Sequence, residues 1–207
     1  CQSFPQPGHR LQFVEFILDL LDDFRVRLLQ ILQTERDQPL SDRSIGILNT
    51  VDFFMSAMRE WNEVPFYVQM TFYRKQVHGP PSSPDLVGPS GSSSGAKGEG
   101  KLQEGLFDAE IGLYTRLRDD VLSGLHQRVL GELKRQAKPY LNERWFAMLP
   151  HSSLVPPTLS PSAVSLLSAL QTQLSDLHRR LNPPLFTTTL KTLAKSLEAH
   201  LLYDLVM

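Results

Sequence analysis

Apolar residues recur every three or four positions along almost the whole chain, and nowhere do they alternate over the length of a strand. That period buries one stripe of a helix and offers no face for a sheet. Phe13, Val14, Ile17, Leu21, Phe24, Leu28, Ile31 and Leu32 predict a first helix from about His9 to Arg36. Ile45, Leu48, Val51, Met55 and Met58 predict a second over roughly 42–61, with Pro39 and Ser41 marking the turn and its start. Asn62 can cap a third helix, whose first turn tolerates Pro65. Val64, Phe66, Tyr67, Val68, Met70, Phe72 and Tyr73 make that helix apolar on nearly all sides, so burial between neighbours is expected.

A fourth helix is predicted over roughly 103–138, about 50 Å long at ~1.5 Å per residue. Its stripe of Leu113, Leu117, Val121, Leu125, Val129, Leu133, Ala137 and Leu141 steps by four. Such a step turns ~400°, so the stripe drifts ~40° each time and the helix should meet different partners at its two ends. Gly105, Gly112, Gly124 and Gly131 suit either a close neighbour or a bend, and Pro139 is expected to kink or break the helix. Ser160 or Ser162 can cap a fifth helix carrying Ala163, Leu167, Leu170, Leu174, Leu177 and Leu181. A sixth follows Pro183–Pro184 with Phe186, Leu190, Leu193, Leu197, Leu201 and Leu205. The fold expected is an all-α, mostly antiparallel bundle of about six helices.

Residues 79–100 hold six Gly, four Pro and six Ser, a composition that cannot bury enough apolar surface to offset its ordering entropy. The chain therefore divides into a first helical segment of three helices (1–78), a disordered linker or insertion (79–102), and a second segment (103–207). The second segment is a long kinked helix plus two more, packing with the first as one bundle.

Lys+Arg total 21 against 22 for Asp+Glu, so the charge-driven binding that holds nucleic acid is not expected. Cys1 is the single cysteine, which rules out an internal disulfide and a cysteine-ligated zinc site. None of Asn49, Asn62, Asn142 and Asn182 heads a glycosylation sequon, which fits a cytosolic protein. No apolar run reaches the ~18 residues of a membrane span, and no leader pattern opens the chain. The chain starts on Cys rather than Met and is expected to be a piece of something longer.

The chain meets no catalytic pattern. Among His9, His78, His126, His151, His178 and His200 no pair stands four apart, and the HExxH pattern is missing. His78 and His151 fall in expected loops, while His178 and His200 lie where a cation complements a helix dipole. Asp22–Asp23 and Asp119–Asp120 are adjacent on helices, so neither pair can face one substrate. No enzyme activity, metal or cofactor is expected. The aromatic residues, Trp145 and Phe146 among them, are read mainly as core. Arg128, Lys134, Arg135 and Lys138 gather late in the fourth helix, with Asp108 and Glu110 at its start. Two readings stay open: complementation of the helix dipole, or an acceptor surface for an acidic partner helix.

The order of these elements resembles the C-terminal region of the RINT/TIP family of vesicle-tethering subunits. The resemblance is carried by the run from Leu11 to Leu28 and by Ile47-Leu-Asn-Thr-Val-Asp-Phe-Phe with Glu60-Trp-Asn-Glu-Val-Pro-Phe-Tyr-Val-Gln. Leu106-Phe-Asp, Tyr140-Leu-Asn-Glu-Arg-Trp and Leu185-Phe-Thr-Thr-Thr-Leu-Lys-Thr-Leu-Ala-Lys-Ser-Leu continue it. It covers nearly the whole chain, departing at 79–100 and at 150–160. It implies a bundle from an elongated helical rod of the CATCHR type. The implied function is a non-catalytic scaffold of the Dsl-type (NRZ) tether, cytoplasmic and peripheral on the endoplasmic reticulum (ER) membrane. There it would work with sister subunits to capture Golgi-derived vesicles and engage ER SNARE proteins. A subunit of an exocyst- or Golgi-type tether is the alternative. The family's cell-cycle checkpoint role, through a DNA-repair ATPase, has no counterpart in these residues.

Overall fold

The computed structural model describes residues 6–78, 105–143 and 159–206. Among them the chain forms six α-helices and no strand: α1 (Pro7–Thr34), α2 (Asp42–Glu63), α3 (Pro65–His78), α4 (Asp108–Leu141), α5 (Pro161–Arg180) and α6 (Pro183–Val206). The all-helical bundle expected from the apolar period is what forms. The Gly/Ser/Pro run and the segment with Trp145, Phe146 and His151 lie outside the described residues.

Contacts group the chain into two units, each drawing residues from both sides of the Gly/Ser/Pro run. The first holds residues up to Leu29 and Phe53–Thr115. Its core joins Leu11, Val14, Leu18 and Leu21 of α1, Met55 and Met58 of α2, Met70 of α3, and Phe107 and Tyr114. Aromatic rings fill the space that aliphatic side chains leave. Phe54 lies 5.1 Å from Phe24 and 6.2 Å from Tyr114, and Phe107 lies 5.5 Å from Trp61 and 5.1 Å from Tyr67. These are the offset and edge geometries that ring quadrupoles favour. The buried Tyr114 hydroxyl donates to the Leu21 carbonyl at 2.7 Å, so the ring enters the core without stranding its oxygen.

Asn62 does not cap α3. It lies in the last turn of α2, and its Oδ1 accepts from the Phe107 amide at 3.0 Å. Its Nδ2 donates to Asp108 Oδ1 at 2.7 Å, while the Gly105 amide donates to Asp108 Oδ2 at 2.6 Å. Two otherwise unpaired amides at the entry to α4 are satisfied by these side chains. Gly105 is required there, because a Cβ would stand 2.7 Å from the Asn62 side chain. This device starts α4 at Asp108, a few residues later than the start near 103 expected from the sequence.

The second unit holds Gln30–Asp52 and residues from Arg116 onward. Ile45 and Leu48 of α2, Leu125, Val129, Leu133 and Ala137 of α4, and leucines of α5 and α6 form its core. Ser41 Oγ accepts the Ser44 amide to open α2, and Ser160 Oγ accepts the Ala163 amide to open α5 ahead of Pro161. Asn49 fastens the α5–α6 turn. Its Nδ2 donates to the Arg180 carbonyl at 2.8 Å and its Oδ1 accepts the Asn182 amide at 3.0 Å. The Arg180 guanidinium reaches the Leu40 carbonyl at 2.6 Å, Asp42 at 2.9 Å and Asp176 at 2.7 Å.

The structure corrects several expectations drawn from the stripes. The third helix is not buried all round: Met70 and Thr71 are buried, while Val64, Val68, Phe72 and Val77 are exposed. It runs on to His78, which was expected in a loop. On α5 the buried residue is Leu166 and Leu167 is exposed. On α6 Leu185 and Thr189 are buried and Leu190 is exposed. Pro139 does not stop α4, which continues to Leu141; the Asn142 amide still reaches the Lys138 carbonyl at 3.0 Å. So near the end of the helix, the ring removes only one amide from the ladder. Gly112 and Gly131 admit no close neighbour, since nothing lies within 4 Å of a Cβ at either position.

Two predictions follow from this packing. Gly112→Ala and Gly131→Ala should each stabilise the chain by about 0.5–1 kcal/mol, read as a higher urea midpoint with unchanged slope. A loss of stability would mean that a neighbour does occupy that space. Asn49→Ala should cost about 2 kcal/mol in the same assay, because an amide and a carbonyl at the α5–α6 turn lose their partner.

Candidate functional site

Three clusters of polar side chains could carry chemistry. The first is the late part of α4. Arg128, Lys134, Arg135 and Lys138 fall within an arc of about 120° at ~100° per residue. Arg128, Arg135 and Lys138 are exposed and Lys134 is half-buried. The four are not equivalent. Arg135 grips Glu132, with Nη2 at 2.7 Å from Oε1 and Nε at 3.1 Å from Oε2. Glu132 also accepts from Gln136 Nε2 at 3.0 Å. The Gln136 bond first, then the Arg135 bonds, hold its carboxyl below the usual carboxylate range. Arg128, Lys134 and Lys138 have no ion pair or hydrogen-bond partner among the described residues. Lys138 stands in the last turn, where its charge meets the negative end of the helix dipole. The three cations without a partner among the described residues flank the Arg135–Glu132 pair.

The second cluster surrounds Glu110 in the first turn of α4. Burial raises its carboxyl pKa, and the Asp22 charge adds to that, against Arg25 and Arg74. Its Oε2 is buried with no hydrogen-bond partner among the described residues. Asp22 is engaged by Arg25 Nε at 3.0 Å. Burial, helped by the Glu110 charge, pushes the Tyr114 phenol up to about 12. One partly desolvated carboxyl and one core phenol offer no proton-transfer partner and no nucleophile. This cluster tunes stability.

The third is His126, whose Nε2 shares a hydrogen bond with Ser196 Oγ at 3.1 Å. A nucleophile–base pair would need a carboxylate on the other ring nitrogen, and Nδ1 is buried with no partner among the described residues. Sequence reading treated His126 and Ser196 separately, because 70 residues lie between them and no spacing rule joins them. No group of three or more His, Cys, Asp or Glu among the described residues could hold a metal ion. No helix among them is long and apolar enough to cross a membrane.

The Glu110 carboxyl has a testable pH signature. Its folded pKa lies above the unfolded value, so the stability it contributes is full below about 4.5 and is lost as pH rises through the folded value. Glu110→Gln should therefore raise the urea midpoint at pH 7, with the difference closing near pH 4. A wild type more stable than the variant at pH 7 would mean that the carboxylate is paired.

Comparison with known proteins accounts for the order of the helices. The chain matches the RINT-1/TIP-1 family over residues 2–207. It is 31% identical over 202 residues to a RINT1-like protein of Drosophila melanogaster, covering 98% of this chain and 24% of that protein. The chain thus spans about a quarter of the length of this curated relative. No solved structure matches it. The helix blocks met in order along the sequence, and the match that runs from the second residue to the last, place the chain in the RINT-1/TIP-1 family.

Proposed function

We propose that this chain is a non-catalytic scaffold region of a multisubunit tether that captures Golgi-derived retrograde vesicles at the ER. Sister tether subunits and ER SNAREs are its partners, and it works on the cytoplasmic face of the ER as a peripheral protein. The observation that carries this reading is the family match along the whole chain. The packing supports it. Polar residues near the helix ends, among them Asn49, Asn62 and Arg180, are spent on fastening helices rather than on a reaction centre.

Engagement of a SNARE follows the helix-in-groove mode, in which an amphipathic segment lays its apolar face on a helical surface. The unpaired cations Arg128, Lys134 and Lys138 supply electrostatic complementarity to an acidic partner helix. Such exposed charges set association rate and orientation and are screened by salt.

The purified chain should capture the cytoplasmic N-terminal region of an ER SNARE in a pull-down. Combined Arg128→Glu, Lys134→Glu and Lys138→Glu substitution should weaken capture by about tenfold or more at low salt, with circular dichroism unchanged. No capture of any ER SNARE overturns the assignment. Selective capture of exocyst or Golgi-tether components instead would assign the chain to a different tether.

A further inference from the structure

Between α4 and α6, within the second unit, lies an open cleft of about 240 Å³. That is smaller than the ~300–1,000 Å³ typical of pockets for drug-sized ligands, so it has room for one small group. Leu122 and the threonine methyls of α6 make most of its wall apolar. Most of the polar atoms that interrupt this wall can accept, and the Ser123 hydroxyl, which also lines it, can donate or accept.

Thr188 and Thr192 line the cleft, and each hydroxyl donates to its own helix, to the Pro184 and Thr188 carbonyls at 3.0 Å. With their protons spent, both oxygens have only acceptor lone pairs left to offer. Asp119 adds a carboxylate at the rim. Arg118 binds only its Oδ1, at 2.9 and 3.0 Å, and Oδ2 has no partner among the described residues. Two further polar atoms of the lining residues, Thr189 Oγ1 and His126 Nδ1, are buried without a partner among the described residues. Thr189 itself is 6% exposed. No lysine or arginine lines the cleft.

An apolar wall ending in the acceptor oxygens of Thr188 and Thr192, the two-way hydroxyls of Ser123 and Thr189, and one carboxylate, with no lysine or arginine, is complementary to an alkyl stem ending in a donor-rich cation. A neutral alkyl group would leave the acceptors unpaired, and an anion would meet Asp119. We propose that this cleft binds the cationic head of a short alkylamine or alkylguanidine. Leu122 and the threonine methyls hold the stem, while Asp119, Thr188 and Thr192 accept from the head. The head has two possible sources, a free amine or a lysine or arginine side chain of a partner protein. The site is separate from the cations of late α4 and does not rest on the tethering assignment.

The test uses the whole 207-residue chain with ¹³C-labelled threonine methyls, titrated with N-acetyl-arginine methylamide, N-acetyl-lysine methylamide and agmatine. N-acetyl-norleucine methylamide is the neutral control. Saturating shifts at the methyls of Thr188, Thr189 and Thr192 are expected for the cations, with dissociation constants of about a millimolar. The neutral analogue should bind at least ~10-fold more weakly. Asp119→Asn and, separately, Thr192→Val should each weaken the cations ~5-fold or more, with circular dichroism unchanged. Agmatine binding as tightly as a helical peptide carrying one arginine would assign the head to a free amine. A peptide that binds ~10-fold tighter would assign it to a partner's side chain. Equal binding of the norleucine analogue, insensitivity to both substitutions, or no saturating shift with any cation would overturn the proposal.

Discussion

A helix of 34 residues whose apolar positions recur every four cannot show them all to one neighbour. In α4 the buried positions wind around the axis. Tyr114 packs among α1 and α2 residues of the first unit, whereas Leu125, Val129, Leu133 and Ala137 belong to the core of the second. Straight, independent helices with a fixed apolar face would not satisfy that sequence. The spiral commits α4 to one set of partners before Thr115 and another after it, and α1 and α2 likewise contribute to both units. The rest of the fold is arranged to fill what this helix exposes at each end.

Apolar burial supplies the drive but not the register, since leucine stripes can slide. Register is set by a few polar side chains with nowhere else to bond. Asn62 satisfies the amide before α4, Asn49 holds both sides of the α5–α6 turn, and Tyr114 finds the Leu21 carbonyl. A slip of one residue would leave the buried Tyr114 hydroxyl and the partly buried groups around Asn49 and Asn62 without their partners, at a cost of up to about 1–3 kcal/mol each. Such side chains hold helices to one another.

Where the sequence reading succeeded, the signal was local. Ile45, Leu48, Val51, Met55 and Met58 of α2 are all buried as their spacing implies, and Ser41 and Ser160 open their helices as capping residues. Where it failed, the deciding information was held by other elements. An apolar helix such as α3 reads as buried, but neighbours cover only the side with Met70 and Thr71. Leu166 and Leu167 are equivalent to a periodicity rule, and the direction from which neighbours approach α5 selects one. Asn62 stands three residues before Pro65 and looks like a local cap, yet its partners are 45 and 46 residues away. Of the basic residues on α4, the sequence identifies the cluster; Glu132 and Gln136 decide that Arg135 is engaged and the other three are not.

The sequence by itself determined that this chain is helical, roughly where its helices begin and end, and to which family it belongs. Those properties depend on spacing along one strand of chain, where a side chain meets only neighbours three or four positions away. The tertiary structure alone decided which face of each helix is covered, which amides the asparagines satisfy and where the α4–α6 cleft opens. Each of these requires residues separated by tens of positions to come together, and no local period encodes that distance. His126 and Ser196 were ordinary helix residues until the fold set them 3.1 Å apart.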